Sequence, residues 1–298
     1  MYRIGVDIGG TNVAAGIVAE DFSIPCVMSV PFPKGQPSES IVGIIVSLVD
    51  ALCGRAGIAP NELESVGIAV PGGIDQSGQV VIAAYNLDYF NFPLRMLLQN
   101  VLPVPVRLGN DANAAALAEL CCGSLMGCTT AVLITLGTGV GGGLILGGKM
   151  FNGGRNMGVE LGHMYLKAGG LHCTCGHDGC MECYCSATRL ANQGKPYGLN
   201  DAKAVIDAAK GGDVRACAIF CEYVDDLGSA ITSIVNLIDP ERVAIGGGVV
   251  GAGEFLLEPL RENVRSKVFF GLSPDIVAAV MGNNAGIVGA AMLYRNDM

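Results

Sequence analysis

The feature that most limits what this chain can fold into is a repeated layout. DIGGTNVAAGIV at residues 7–18 and TLGTGVGGGLIL at residues 135–146 each read as strand, glycine turn, strand. Such self-similarity predicts two similar halves with a cleft between them. No flexible Gly/Ser or charged linker separates them. Around both copies strands and helices alternate, which makes the fold class α/β. Strands are expected at 2–7, 13–18, 24–31, 65–70, 103–108, 130–136, 142–146, 242–245 and 276–280. Helices are expected from Ser38, as N-cap, to about Gly54, then over Asp201–Lys210 and over Val214–Ile238 with Asp213 as cap. Further helices run from the glycines at 246–248 to about Val264 and near Ala285–Tyr294. The run GNDANAAALAEL predicts an alanine-rich helix capped by Asn110 or Asp111.

Bulk properties exclude several classes. The 298 residues suffice for one large or two moderate domains, and 51% hydrophobic with 15% charged residues is no disordered composition. No apolar run reaches the ~18 residues that span a bilayer, and IVGIIVSLVDALCG is broken by Ser47 and Asp50. MYRIGVDIGG lacks the charged and then apolar regions of a secretion signal. Twelve cysteines in such a chain predict a reducing, cytoplasmic setting, with thiols or metal rather than disulfides. A net charge of −9 argues against a nucleic-acid partner, and nothing predicts a membrane partner.

A glycine turn between strands exposes backbone N–H groups that can cradle phosphate oxygens. Gly9, Gly10 and Thr11 fit this, as do Gly137, Thr138 and Gly139, although neither turn is a GxxxxGK[ST] loop. Tight turning alone would also explain the glycines. Asp111 stands where a strand ends and a helix begins, an edge whose side chains line ligand sites in α/β folds. Capping is its plainer role, unless Asn110 takes that over. Gly246, Gly247 and Gly248 after a strand would admit a flat ligand or simply close helix packing.

One segment carries metal chemistry. In GVELGHMYLKAGGLHCTCGHDGCMECYCS, residues 158–186, His163 precedes Cys173, Cys175 and Cys180. Three thiolates and one imidazole make a closed tetrahedral zinc set with no open position, so the metal would be structural. His172, His177, Cys183 and Cys185 lie near enough to be alternative ligands, and a small iron–sulfur cluster is the rival group. The scattered Cys26, Cys53, Cys121, Cys122, Cys128, Cys217 and Cys221 read as apolar fillers. Glu160 and Glu182 flank the knot. Carboxylates held that way suit a small polar ligand, and metal loss should weaken that ligand's binding before it affects phosphate binding at the glycine turns.

Taken together, these motifs resemble the ROK family (repressor, open reading frame, kinase), most closely its bacterial ATP-dependent glucokinases. DIGGTN, GNDANAAALAE, LGTGVGGG, ELGH followed by CTCGHDGCME, and IGGGVVG fall in the family's order across nearly the whole chain. The resemblance implies the actin, Hsp70 and hexokinase-like (duplicated RNase H-like) fold. It implies a smaller domain of residues 1–110 plus 285–298, and a larger one of 111–284 with a zinc-binding insertion. It implies ATP-dependent phosphorylation of a hexose at its primary hydroxyl, most closely glucose to glucose 6-phosphate. Asp111 would be the base, an ordinary aspartate ionised at neutral pH. Asn110, Glu160, His163 and Glu182 would hold the sugar. Gly9, Gly10, Thr11, Thr138 and Gly139 would meet the ATP phosphates, with Asp7 near magnesium and Gly247 and Gly248 beside the nucleoside. His163, Cys173, Cys175 and Cys180 would hold the structural zinc, and the protein would be a homodimer.

The chain also departs from the family. Asn12 stands where many members carry lysine, NLDYF at 86–90 replaces a pattern often containing tryptophan, and Cys183 and Cys185 have no assigned role. The family's repressors carry a DNA-binding segment before the first phosphate motif, for which the six residues before Asp7 leave no room. The competing readings are a kinase for N-acetylmannosamine, N-acetylglucosamine, allose or fructose, and a non-catalytic sugar sensor. Cys175 does not fit the fructokinase spacing, and the intact Asp111 with both phosphate loops opposes the sensor.

Overall fold

The computed structural model describes residues 2–294, so the last four residues of the expected 285–298 segment lie outside it. In chain order the first elements are β1 (Tyr2–Ile8), β2 (Asn12–Val18), β3 (Cys26–Pro31), α1 (Ser40–Ala56), β4 (Leu63–Val70), β5 (Gly73–Ile74), β6 (Val81–Ala84), β7 (Tyr89–Phe92), α2 (Leu94–Gln99), β8 (Val106–Asn110) and α3 (Asp111–Cys122). There follow β9 (Ala131–Leu136), β10 (Val140–Leu146), β11 (Lys149–Phe151), α4 (Glu182–Cys185), α5 (Ala187–Gly194), α6 (Ala202–Lys210), α7 (Val214–Ile238), β12 (Arg242–Gly246), α8 (Glu254–Lys267), β13 (Asp275–Ala278) and α9 (Ala285–Met292).

The chain divides into two compact units. One comprises the residues up to Met126, Lys149–Val159 and the residues from Asn283 onward; the other comprises Gly127–Gly148 and Glu160–Gly282. In the first, the strands run β3-β2-β1-β4-β8, with β1 to β3 antiparallel and β1, β4 and β8 parallel. In the second, β10, β9, β12 and β13 follow one another with the same pattern, β10 antiparallel to β9, and β9, β12 and β13 parallel. The sequence repeat is thus a repeat of topology, and its glycine turns are the β1–β2 and β9–β10 turns.

Burial explains which strand goes where. β1 is buried at nearly every position, as a central strand covered on both faces must be, whereas β3 alternates in exposure as a sheet edge does. In α1, Ile41, Ile45, Leu48, Val49 and Leu52 form one apolar stripe against the first core. Ser38 does not cap this helix. The chain enters it through turns in which Ser40 N donates to Pro37 O (3.0 Å) and Ile41 N to Ser38 O (3.3 Å). Those carbonyls take N–H groups a side chain would otherwise satisfy.

Helix α9 returns to the first unit and lies on β1 and β4. A Cβ on Gly5 or Gly67 would fall 1.8 Å from the carbonyl oxygens of Ile287 or Ala290. Helix α3 belongs to the same unit, whereas the boundary expected at 110/111 would have assigned it to the other. The reason is equally close packing: a Cβ on Gly289 would fall 1.8 Å from Ala114 O. In the second unit α7 buries Ile219, Phe220, Tyr223, Leu227 and Ile231 in a core shared with β9, β12 and α8. Among the described residues, no helix is long and apolar enough to cross a membrane.

Candidate active site

The first unit brings two carboxylates to the same edge of its sheet. Asp7 sits near the end of β1 and Asp111 directly after β8, both at the carboxyl ends of parallel strands. Asn110 performs the capping. Its Oδ1 accepts from Ala112 N (3.0 Å) and Asn113 N (3.1 Å), and its Nδ2 donates to Gly72 O (3.2 Å). Asp111 is thereby the first residue of α3 and not its cap, although its Oδ1 also accepts from Ala112 N at 2.8 Å. Asn110 keeps one amide N–H for a ligand.

Both acids are perturbed. Burial and the nearby Asp111 charge push the Asp7 carboxyl up to about 6. Burial also raises Asp111, against the opposing hydrogen bond from Ala112. An ordinary aspartate was the expectation for Asp111, and low dielectric is what changes it. Helix α9 closes over Asp7: a Cβ on Gly286 would fall 2.3 Å from its Oδ2. The β1–β2 turn beside Asp7 is closed by Gly9 N donating to Asn12 O (2.9 Å), while Phe32 N donates to Thr11 O (2.8 Å). A Cβ on Gly10 would find its nearest neighbour at 3.8 Å, so the fold itself leaves space there.

The matching turn in the second unit is held differently. Gly137 N donates to Gly139 O (3.0 Å), and a segment some fifty residues along the chain straps the turn. Val140 N donates to Glu182 Oε2 (2.9 Å), Ala187 N to Gly137 O (2.8 Å), and Thr188 Oγ1 to Thr138 O (2.7 Å). A Cβ on Gly139 would fall 2.1 Å from Glu182 Oε2, whereas one on Gly137 would meet nothing within 4 Å. Sequence reasoning assigned Glu182 to the sugar and missed its bond to the turn. It also missed Ala187 and Thr188, whose only signal is their place just after CMEC. Gly247, at φ 82°, is fixed by close approach to β9, since a Cβ there would lie 2.3 Å from Leu136 O. Gly248 opens a short 3-10 turn and faces open space.

The ligand atoms of His163, Cys173, Cys175 and Cys180 all lie within 4.8 Å of one another. Cys173 Sγ is 3.7 Å from His163 Nδ1, and Cys175 Sγ is 3.6 Å from Cys180 Sγ. With metal–sulfur bonds of about 2.3 Å and a metal–nitrogen bond of about 2.0 Å, tetrahedral edges come to roughly 3.5–3.8 Å. The donor set therefore fits a tetrahedral ion. Burial of Cys173 is overcome by hydrogen bonds from Cys175, Cys180 and His163 that hold its thiol down, while burial and the neighbouring Cys175 and Cys173 push the Cys180 thiol up.

Gly176 and Gly179 take left-handed φ of 89° and 87°, the turns that let the sulfurs converge. The alternative ligands do not belong to that mutually close set. His172 pairs with Asp178 (2.8 Å), and Cys185 is buried in the core of the second unit. His177 Nδ1 stands 3.6 Å from Cys175 Sγ, and Cys183 bonds to Cys173 and donates to His172 O at 3.6 Å. The knot is anchored to α7 by Lys167, which pairs with Asp226 (2.7 Å) and lies over the Tyr184 ring at 4.5 Å. Glu160 caps the 3-10 turn that carries His163, its carbonyl accepting from His163 N at 3.0 Å.

Known proteins are similar to this chain. The model of the ROK family matches residues 3–297. A glucokinase of Streptomyces coelicolor is 35% identical over 98% of this chain and 97% of its own length. An N-acetylmannosamine kinase of Escherichia fergusonii is 32% identical over 100% and 99% of the two chains. The solved structure of a ROK family glucokinase from Streptomyces griseus, in complex with glucose and AMPPNP, superposes with a TM-score of 0.83 at 34% identity, covering 98% of this chain and 99% of that one.

Proposed function

We propose that this chain, which belongs to the ROK family, is a sugar kinase that transfers the γ-phosphoryl group of ATP to the primary hydroxyl of a hexose, and that the hexose is glucose. One observation carries the reading: Asp111 is half-buried at the sheet edge and released from capping by Asn110. Phosphoryl transfer asks mainly for positioning and charge neutralisation. Asp111 accepts the hydroxyl proton as the new oxygen–phosphorus bond forms. Burial raises its pKa, which makes its carboxylate a stronger base.

The β1–β2 turn, which Gly9 closes through its bond to Asn12, would offer the backbone N–H groups of Gly10 and Thr11 to the phosphates, and the β9–β10 turn those of Thr138 and Gly139, with Gly247 and Gly248 beside the nucleoside. Asp7 stands on the magnesium side, and the ion would supply charge neutralisation. Asn110, Glu160, His163 and Glu182 bind sugar hydroxyls; charge-assisted bonds to pre-set carboxylates lose little entropy. Zinc held by His163, Cys173, Cys175 and Cys180 would be structural. N-acetylmannosamine is the second reading, because the kinase for that sugar is nearly as similar as the glucokinases.

A coupled ADP-release assay over a panel of hexoses and amino sugars tests the assignment. Glucose should give the highest kcat/KM, and a clear preference for N-acetylmannosamine would replace glucose in the reading. Elemental analysis should find one zinc per chain in wild type and none in Cys175→Ser, whose glucose affinity should fall.

A further inference from the structure

Helix α3 carries a second asparagine, Asn113, two residues past Asp111. It is 5% exposed, and its Oδ1 has no hydrogen-bond partner. Its Nδ2 donates to Asn152 Oδ1 at 3.2 Å, across 39 residues of sequence. A buried amide with a stranded oxygen is poor packing, and an apolar residue would fill the place without that cost. What the amide achieves is the bond to Asn152, and Asn152 begins the segment that leads into Glu160.

That segment is a closed loop. Gly158 N donates to Asn152 O at 2.9 Å, and Asn156 Nδ2 donates to Asp75 O at 2.9 Å. It ends on Val159 at φ 73°, a left-handed conformation that a β-branched residue adopts only when its surroundings over-determine it. The two asparagine bonds, at Asn152 and Asn156, hold the segment that precedes it. Releasing the Asn113 pin frees the start of the loop and lets Val159 relax to an extended conformation. Such relaxation redirects the chain at the next residue, Glu160.

We infer that Asn113 is a positioning residue: through Asn152 it fixes segment 152–159 and with it the approach of Glu160 to the sugar. The inference rests on the sugar-kinase reading. It assigns Asn113 no contact with substrate, and it separates this asparagine from Asn110, which caps the helix.

The test uses the intact enzyme and the sugar of the panel that wild type turns over fastest. Asn113→Ala and Asn152→Ala should each raise the KM for that sugar about tenfold, and the double variant should be no worse than either single one, because one bond is being removed. The KM for ATP should stay within twofold of wild type. Asn152→Asp keeps an oxygen acceptor for Asn113 Nδ2 and should restore the sugar KM. Sugar affinity by isothermal titration without nucleotide should follow the KM values. Four results would overturn the inference: unchanged sugar KM in Asn152→Ala, which is the variant least able to disturb the core; a lowered Tm with unmoved KM; additive effects in the double variant; or no rescue by aspartate. A wild type that phosphorylates no sugar would instead remove the kinase reading on which it stands.

Discussion

The two glycine turns look alike in sequence and are built for different work. The β1–β2 turn is closed by its own backbone between Gly9 and Asn12, with one further bond from Phe32 at the end of the adjacent strand, and it sits beside two half-buried acids. The β9–β10 turn depends on distant chain. Glu182, Ala187 and Thr188 hold it, and Glu182 lies two residues beyond the metal-set cysteine Cys180. A duplicated supersecondary unit thus keeps its topology while its supports diverge. One copy concentrates charge, and the other is tied to the segment that carries the metal-set cysteines. The tie bears on an expectation. Metal loss was expected to weaken sugar binding before ATP binding, yet Glu182 both adjoins the metal set and bonds to the second glycine turn.

The contrast breaks most sharply at Asp111. Asp111→Asn keeps the shape of the side chain and removes the base, so turnover should fall at least ~100-fold with sugar binding retained. Near-normal kcat in folded protein would mean that the first turn's acids are structural. Next in size is Asp7. Its carboxyl is raised from 3.8 to about 6, so the native state holds the proton more tightly than the unfolded one. The stability contributed by the neutral form is full below about pH 4 and lost as pH rises through about 6. Asp7→Asn should therefore stabilise the magnesium-free protein at pH 7.5 by up to about 3 kcal/mol, roughly two pK units, and by nothing at pH 3.5. Equal urea midpoints for variant and wild type at pH 7.5 would refute the buried charge.

The second turn should respond through its strap. Gly139→Ala drives a Cβ into Glu182 Oε2, and the carboxylate, being the flexible partner, swings away from Val140 N. Loss of that charge-assisted bond should lower stability by about 1–3 kcal/mol and raise KM for both ATP and sugar. An unchanged sugar KM would separate Glu182's two tasks. The smallest effect is expected at Gly137, where a Cβ meets nothing and no left-handed φ is required. Gly137→Ala should leave Tm unchanged within a degree or so while raising KM for ATP, since only an approaching phosphate would meet the methyl. A lowered Tm would show that the turn is a structural glycine bend.

How much of this was legible beforehand depends on the range of the force involved. The apolar runs of β1, β9 and β12, the cap at Asp213 and the helix Val214–Ile238 follow from local pattern, whereas Asp201, expected inside its helix, caps it instead. The small β5–β7 sheet, α2, and helices α4 and α5 carried no reading, because short, partly exposed elements take their shape from what they pack on. The expected cap at Ser38 failed because nearby carbonyls of the entering chain satisfied the helix first.

The sequence by itself determined the duplication, the order of the strands' glycine turns, and the segment that carries the metal chemistry, because period, spacing and ligand chemistry are local properties of a chain. Only the tertiary structure decided that Asn110 and not Asp111 caps α3, that Asp7 and Asp111 share one field, and that Glu182 holds a turn 42 residues away. Those outcomes depend on burial and on which N–H group a carboxyl meets. Neither is written in any stretch of sequence short enough to read locally.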